Sequence, residues 1–193
     1  DTTYTLKEIK KYNLNRGRHV FLSGYSKMDE LSKYPSKQNN KIKILLAPHH
    51  TIKGINEAFQ LSNFLTYYEL IKRLPDIYTD VDFVFRPHPL LFVNLVNKKI
   101  WSQKQVDDYI NDIKRKGVIY SIGGDYISLF SECDAIIHDC GSYMVEWLYT
   151  DKPCCFVVED EKKLKNQLCL LGNKAIGFHV LAHNESEILD FID

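Results

Sequence analysis

A polar turn between two apolar patterns carries residues whose types suit the binding of an anion. Ala135, Ile136 and Ile137 form a short apolar run typical of a buried parallel strand, and residues 138–142 follow it with the sequence His-Asp-Cys-Gly-Ser. Residues 144–149 then repeat apolar side chains at helical spacing. A strand that enters a helix through such a turn directs backbone N–H groups and the positive end of the helix dipole at the space above it. The sequence therefore predicts an anion site here.

Three side chains of this segment have roles that follow from their chemistry. Ser142 is expected to cap the helix or to donate its hydroxyl to a phosphate, and Glu146 could accept hydrogen bonds from ribose hydroxyls. Asp139 is expected to orient the turn rather than to act as a base. An ordinary strand–turn–helix corner with a capping serine and a solvated glutamate would give the same pattern, and this stretch alone leaves both interpretations open.

A second candidate for anion binding is the Arg-Pro-His-Pro loop of residues 86–89, which follows an apolar run at residues 81–85. Arg86 offers a bidentate guanidinium, and His88, held between two prolines, offers an imidazole that can donate or transfer a proton. Together they suit a diphosphate. The alternative is a structural loop in which the histidine bonds to a neighbouring carbonyl.

The loop after residues 42–47 adds His49, His50 and Thr51, which could supply further imidazoles and a hydroxyl or could simply be exposed. Residue types alone would permit a metal site, but no HxxxH or CxxC spacing supports one among His49, His50, His88, His138 and Asp139. Neutral, phosphate-binding histidines explain the cluster equally well. Neither a metal nor a cofactor is therefore predicted.

Other chemistries lack the residues they need. Cys140 has no neighbouring base in the sequence that would make it a nucleophile. The GxGxxG motif of dinucleotide-binding proteins and the GxxxxGK[ST] motif of P-loop proteins are both absent, which argues against NAD enzymes and ordinary NTPases.

The composition describes a globular protein whose net charge favours no class of partner. The 193 residues are 45% hydrophobic, and 25 Lys and Arg balance 25 Asp and Glu, so no nucleic-acid partner is predicted. Five cysteines without CxxC spacing indicate a reducing compartment. No apolar run approaches the ~18–20 residues of a membrane span, and no signal peptide is recognised, so a cytoplasmic location is expected.

The pattern along the chain predicts one α/β domain. Residues 1–17 are polar and are expected to be a linker or a trimmed interdomain segment of a longer protein, whereas residues 18–193 are expected to form the domain. Strands are predicted at residues 20–23, 42–47, 81–85, 118–121, 135–137 and 153–158. Helices are predicted after the 138–142 turn and at residues 28–34, 55–73 (ending before Pro75), 102–116, 125–132, 160–171 and 185–192.

This alternation predicts a Rossmann-like, doubly wound parallel sheet. Right-handed crossovers place the loops that follow the strands along one edge of such a sheet, where ligands bind. The three polar loops described above all follow predicted strands, so they are expected to converge on that edge. This convergence is the strongest physical indication of a site.

Four segments also match the motifs of a known family in order and spacing. They are GYSKMDEL (residues 24–31), KILLAPHHT (43–51), RPHP (86–89) and DCGSYMVEWLYTDKPCCFV (139–157). They resemble the nucleotide-binding C-terminal half of the CDP-glycerol glycerophosphotransferases, the teichoic-acid primases and polymerases of the GT-B type. The resemblance covers residues 20–157 well, and it implies that the domain is one half of a GT-B transferase.

The resemblance implies roles for individual residues. Arg86 and His88 match the family's RxHP loop and would lie near the donor pyrophosphate, with His88 as the catalytic residue. Gly141 and Ser142 match the paired serines that hold phosphate, and Glu146 matches the acidic residue that faces the ribose.

The remaining substrate contacts that we expect are less closely matched. His49, His50 and Thr51 stand where the family has Thr-Trp-Arg, so the donor contacts there need not carry over. Asp139 lies in the matched turn, and Tyr143 would contribute through its backbone N–H. Because the first of the paired serines is a glycine here, one hydroxyl is lost, and the donor could be another cytidylyl or uridylyl compound.

The resemblance implies a transferase that moves glycerol phosphate, or a related polyol phosphate or sugar, from a CDP-linked donor to a cell-envelope or capsule polymer. The polymer or lipid-linked acceptor would bind through an N-terminal half that is missing here, and that half would also supply the catalytic base. The chain alone is therefore expected to bind nucleotide without turnover. The full-length protein could act at the inner face of the cell membrane as a peripheral protein. Two alternatives stay open: a UDP-sugar-binding domain of an epimerase-like or glycosyltransferase protein, and a degenerate, non-catalytic nucleotide-binding domain.

Overall fold

Short apolar runs form a sheet of parallel strands. The computed structural model describes residues 3–34, 40–52 and 60–193. Within these ranges the strands are β1 (Ile42–Ala47), β2 (Val81–Phe85), β3 (Ile119–Tyr120), β4 (Ala135–His138), β5 (Cys154–Val157) and β6 (Val180–Ala182). All neighbouring pairs are parallel, and the order is β3-β2-β1-β4-β5-β6. The prediction of a Rossmann-like, doubly wound parallel sheet is confirmed.

Helices of the described residues cover both faces of this sheet. They are α1 (Thr3–Tyr12), α2 (Ser26–Asp29), α3 (Phe64–Ile77), α4 (Leu90–Asn97), α5 (Gln103–Arg115), α6 (Ile127–Glu132), α7 (Tyr143–Glu146), α8 (Glu161–Gln167), α9 (Leu170–Ala175) and α10 (Glu185–Ile192). Short 3₁₀ segments lie at Leu31–Lys33, Trp147–Thr150 and Ile176–Phe178. No helix in the described ranges has the length and apolar character required to span a membrane.

The strands alternate their side chains between two apolar layers. Leu46 and Phe85 belong to the core that contains α3 and α5, whereas Leu45 and Val84 belong to the core that contains Phe130 of α6. Burial on both faces explains why these strands read as continuous apolar runs rather than as an alternating pattern.

An aromatic cluster fixes α3 and α5 on the first face. Phe64 is fully buried at the start of α3, and its ring lies 6.1 Å from that of Phe85, 5.7 Å from that of Tyr109 and 5.6 Å from that of Trp101, measured between centroids. At the start of α5, Ser102 and Gln105 form a capping box. These contacts anchor the sheet whose edge carries the candidate site.

Most of the other predicted elements are present with shifted ends. The predicted helix at residues 55–73 is α3, which extends past Pro75 to Ile77; residues 53–59 lie outside the described ranges. Pro75 lies in the last turn, where its missing N–H costs one internal bond and Tyr78 N–H still reaches the Leu74 carbonyl at 2.8 Å. The helix predicted at residues 160–171 is divided into α8 and α9 because Cys169 is extended.

Several predictions at the ends of the domain are wrong. Residues 20–23 form no strand; Val20, Phe21 and Leu22 are exposed, since β3 and β6 occupy the two sheet edges. The helix at residues 28–34 is replaced by α2 and a 3₁₀ turn.

The pattern missed α1 within the proposed linker, α4 directly after Pro89, and the three-residue β6. The proposed division into residues 1–17 and 18–193 stays a prediction.

Lys152 closes the C-terminal end of α6. Its Nζ donates to the carbonyl oxygens of Phe130 at 2.9 Å, Ser131 at 2.9 Å and Cys133 at 2.7 Å. Carbonyls at a helix end have no helical partner, and the helix dipole favours a cation there. Burial lowers the pKa of Lys152, because it penalises the charged form.

Replacing Lys152 with methionine should lower the free energy of unfolding by about 2 kcal/mol. The substitution removes the ammonium and its charge-assisted bonds to the three carbonyl oxygens but keeps the apolar stem. Urea denaturation followed by circular dichroism measures this change. Lys163→Met is the matched control, since among the described residues the Nζ of Lys163 makes one hydrogen bond, to Oε1 of Gln60 at 3.3 Å. Equal stability of the two variants would contradict the role of Lys152.

Candidate functional site

A cleft opens where the chain leaves β1 and β4 in opposite directions. These strands are neighbours in the sheet, with Leu46 beside Ile137, and the crevice at such a switch point is where doubly wound sheets bind ligands. The cleft has a volume of about 520 Å³. The predicted residues Arg86, His88, Ser142, Tyr143 and Glu146 all line it.

The loops after β1 and β2 are tied together beneath this cleft. Arg86 N–H donates to the Leu46 carbonyl at 2.9 Å, and His88 N–H donates to the Pro48 carbonyl at 2.9 Å. The prolines on either side of His88 restrict its backbone. Strand pairing and these two bonds together hold the Arg-Pro-His-Pro loop at the cleft wall.

The Arg86 guanidinium is held by the loop after β3. It donates to the Ser121 hydroxyl at 2.9 Å and to the Gly124 carbonyl at 3.0 Å. Gly123 and Gly124 have φ of +66° and +65°, a left-handed conformation that glycine adopts without strain. Two of the five N–H donors of Arg86 are used in this way, so the group is oriented and retains donors for an anion in the cleft.

His88 offers a neutral donor to the cleft. Its Nδ1 accepts a hydrogen bond from Leu90 N–H at 3.1 Å, which places the proton of the neutral ring on Nε2. Burial and the neighbouring His50, whose ring centroid lies 4.1 Å away, lower the pKa of His88. The ring is therefore neutral at pH 7 and presents an Nε2–H donor rather than a positive charge.

His49, His50 and Thr51 support this arrangement from behind the cleft wall. The Nδ1 of His49 lies 2.8 Å from the Thr51 hydroxyl, and burial together with the adjacent histidines lowers the pKa of His49 to about 4. The Asn94 side chain donates to the His50 carbonyl at 3.0 Å. None of these three predicted residues lines the cleft, so we propose no direct ligand contact for them.

Asp139 is fully buried and joins two loops instead of facing the cleft. Its carboxylate accepts hydrogen bonds from His49 N–H at 2.5 Å and from Asn63 N–H at 2.6 Å. Burial raises the pKa of Asp139 to about 7, and the backbone bonds oppose this rise. The structure thus agrees with an orienting role and gives Asp139 no access to a substrate.

The turn after β4 brings Ser142 to the cleft but not as a helix cap. The Ser142 side chain makes no capping bond; its hydroxyl lies 3.4 Å from the Cys140 sulfur and is exposed to the cleft. A Cβ at Gly141 would lie 3.2 Å from a methyl group of Leu61, a tight contact that explains the small residue at this position. The predicted capping role of Ser142 is therefore wrong, and donation to a ligand stays a prediction.

Glu146 is held by residues that were not among the predicted site residues. The carboxylate is buried, with an exposed fraction of 2%, and accepts hydrogen bonds from the hydroxyls of Tyr25 at 2.5 Å and Tyr126 at 2.6 Å. Lys27 adds an ion pair at 3.3 Å. Tyr25 and Lys27 belong to the matched GYSKMDEL segment, which gave a sequence signal, whereas no pattern indicated Tyr126.

His138, which residue types alone admitted to a metal site, is also buried. It packs against His179 with ring centroids 5.2 Å apart, and burial lowers the pKa of both imidazoles. The described ranges contain no group of three or more His, Cys, Asp or Glu side chains that could hold a metal ion.

The raised pKa of Asp139 predicts a pH-dependent contribution to stability. Its usual pKa of 3.8 rises to about 7 in the folded state, so folding takes up a proton between these values. The contribution of Asp139 to the free energy of unfolding therefore falls as the pH rises from about 4 to 7, and it levels off above that. In Asp139→Asn this titration is lost.

The difference in unfolding free energy, wild type minus Asp139→Asn, should accordingly decrease by up to about 1.4 kcal/mol per pH unit between pH 5 and 7. Urea denaturation of both proteins across this range measures it. A difference that stays constant between pH 5 and 7 would mean that the two amide bonds offset burial and that the pKa of Asp139 is not raised.

Comparison with known proteins bears on fold and family. The model of the CDP-glycerol:poly(glycerophosphate) glycerophosphotransferase family matches residues 10–193. No curated protein matched the sequence.

Among solved structures, the UDP-GlcNAc 2-epimerase of Neisseria meningitidis bound to UDP-GlcNAc is 17% identical with a TM-score of 0.50, over 97% of this chain and 41% of the epimerase. MnaA of S. aureus in complex with UDP is 15% identical with a TM-score of 0.50, over 92% of this chain and 42% of MnaA. The wall teichoic acid polymerase TagF is 16% identical with a TM-score of 0.48, over 98% and 41%.

The present chain spans less than half the length of each of these structures. Identities this low show the fold alone, which is the Rossmann-like half of a GT-B fold, as the sequence predicted. The family match extends over nearly the whole chain. It confirms the resemblance of the four sequence motifs, and the chain belongs to the CDP-glycerol:poly(glycerophosphate) glycerophosphotransferase family.

Proposed function

We propose that this chain is the donor-binding domain of a transferase that moves glycerol phosphate, or a related polyol phosphate or sugar, from a CDP-linked donor to a cell-envelope or capsule polymer. The observation that carries the proposal is the convergence of Arg86, His88, Ser142 and Glu146 on one cleft at the switch point of the sheet. Family membership supplies the class of reaction.

The cleft offers donors of the kinds that a diphosphate needs. Arg86 contributes a fixed cation, His88 a neutral Nε2–H, and Ser142 a hydroxyl on the opposite wall. Oriented donors of this sort stabilise phosphate oxygens without the reorganisation that water would require. Glu146, at the far end of α7, supplies an acceptor suited to a ribose hydroxyl.

In the proposed reaction, an acceptor hydroxyl attacks the β-phosphorus of the donor. The bond between this phosphorus and the bridging oxygen breaks, glycerol phosphate is transferred, and CMP leaves with the bridging oxygen and its charge. Arg86, His88 and Ser142 would stabilise that charge, with His88 as the catalytic donor. Phosphoryl transfer of this type depends chiefly on positioning and electrostatics, which the rigid loops supply.

The proton of the acceptor hydroxyl requires a base, and neither His88 nor Asp139 is placed to act as one, whereas Glu146 is assigned to the ribose. His88 has its Nδ1 engaged with Leu90 N–H, and Asp139 is buried away from the cleft. We therefore propose that the base and the acceptor site lie in a further part of the enzyme and that this chain alone binds nucleotide without turnover.

The proposal predicts that the chain binds CDP more tightly than CMP, because the second phosphate reaches Arg86 and His88, and more tightly than UDP. His88→Ala should weaken CDP binding about tenfold or more, since a hydrogen bond to a charged group is lost. His88→Gln keeps a side-chain N–H donor and should retain part of the affinity. Isothermal titration calorimetry measures each constant.

His183→Ala is the control, because His183 is exposed and pairs with Glu187 outside the cleft. Failure of a folded chain to bind CDP, UDP or CMP would contradict the nucleotide site and favour a degenerate domain. A preference for UDP would overturn the cytidylyl donor in favour of a UDP-sugar.

A further inference from the structure

Tyr126 lies in the cleft beside three of its charged groups, Lys27, Arg86 and Glu146, and no part of the proposed function uses it. Its hydroxyl donates to Oε2 of Glu146 at 2.6 Å. The Lys27 ammonium nitrogen lies 4.4 Å from the centroid of the Tyr126 ring, and the guanidinium carbon of Arg86 lies 6.0 Å from the same centroid. These contacts join the acceptor side of the cleft to its cationic side.

The hydrogen bonds of Glu146 determine how much of its carboxylate is left for a ligand. A carboxylate has about four acceptor sites, two on each oxygen. Among the described residues, Oε1 accepts from Tyr25 and Lys27, whereas Oε2 accepts from Tyr126. Oε2 is therefore the oxygen that retains an acceptor site for a ligand hydroxyl, and Tyr126 is the group that orients it.

Tyr126 is well suited to orient another side chain because its own position is fixed. It lies directly before α6, and its ring contacts those of Phe130 at 5.3 Å and Tyr143 at 5.0 Å between centroids. Burial and the bond to Glu146 raise the pKa of Tyr126 well above its usual value, so the hydroxyl remains a donor. Tyr25, by contrast, lies in a stretch without secondary structure that precedes α2.

The ring of Tyr126 acts on the cationic side of the cleft. A cation within about 6 Å of an aromatic ring centroid is attracted by the negative face of the ring. Lys27 lies inside that distance and Arg86 at its limit. The ring thus restrains these two cationic side chains before a ligand binds. Less of their conformational freedom is then lost when a diphosphate binds.

We propose that Tyr126 is a positioning residue for nucleotide binding: its hydroxyl holds Oε2 of Glu146 toward one ribose hydroxyl, and its ring restrains Arg86 on the phosphate side and Lys27 between Glu146 and Arg86. This inference rests on the proposed function. It assigns the hydroxyl of Tyr126 to the ribose of the ligand and the ring of Tyr126 to the diphosphate. Substitution by phenylalanine removes the hydroxyl alone, and substitution by leucine removes the ring as well.

The experiment measures the affinity of the chain for CDP, for 2′,3′-dideoxy-CDP and for cytidine by calorimetry. In the wild type, CDP should bind about tenfold more tightly than the dideoxy compound, because one hydroxyl bond to a carboxylate is lost. Tyr126→Phe removes only the hydroxyl and should reduce this ratio to about twofold or less, as should Glu146→Gln. The ratio of CDP to cytidine affinity, which reports the diphosphate, should be unchanged in Tyr126→Phe and reduced in Tyr126→Leu.

Tyr34→Phe is the matched control, because it removes another tyrosine–carboxylate bond, to Asp125 at 3.0 Å, next to Tyr126 in sequence. Both of its ratios should equal those of the wild type, and near-identical circular dichroism spectra verify folding. A dideoxy ratio that is unchanged in Tyr126→Phe but lost in Glu146→Gln would overturn the inference and leave the proposed function standing. A ratio of CDP affinity to dideoxy-CDP affinity near one in the wild type would have the same consequence. No binding of CDP by the folded wild type would overturn both.

Discussion

The buried carboxylate of Asp139 holds together the loops on which the cleft depends. It lies at the end of β4 and accepts bonds from the backbone of His49, after β1, and of Asn63, before α3. β1 and β4 are neighbours whose connections diverge, and Asp139 joins the turn after β4 to both ends of the connection between β1 and α3. Because a buried charge without partners is costly, the two loops are kept in one arrangement. The three neighbouring histidine rings, which are tilted against one another, and the Arg-Pro-His-Pro loop lie next to this link.

The electrostatics of the cleft follow from which groups are charged and which are not. Arg86 and Lys27 bring positive charge, and Glu146 brings a negative charge whose oxygens are largely engaged by tyrosine hydroxyls. Burial and mutual proximity lower the pKa of His49 and of His88, so these imidazoles are neutral near pH 7. The cleft can therefore attract an anion at one end and a neutral diol at the other, although the chain carries no net charge.

The sequence was sufficient to predict the sheet and the edge on which the site lies, because strand-forming apolar runs and the polar residues that follow them are local signals. It identified the cleft residues Arg86, His88, Ser142 and Glu146. It could not predict that Asp139 is buried, nor that Tyr126 reaches Glu146, because these contacts join residues from separate loops. Short elements such as β6 were missed because three residues carry no periodicity, and α1 because its residues are mostly polar.

The measurement that tests the central claim most directly is a crystal structure of the chain with CDP bound. The account predicts that the diphosphate lies between Arg86, His88 and Ser142, within hydrogen-bond distance of the guanidinium and the serine hydroxyl, and that the ribose lies beside Glu146. A nucleotide bound instead in the groove between Leu61 and Leu164, or with its phosphates directed away from Arg86, would contradict the assignment of this cleft as the donor site.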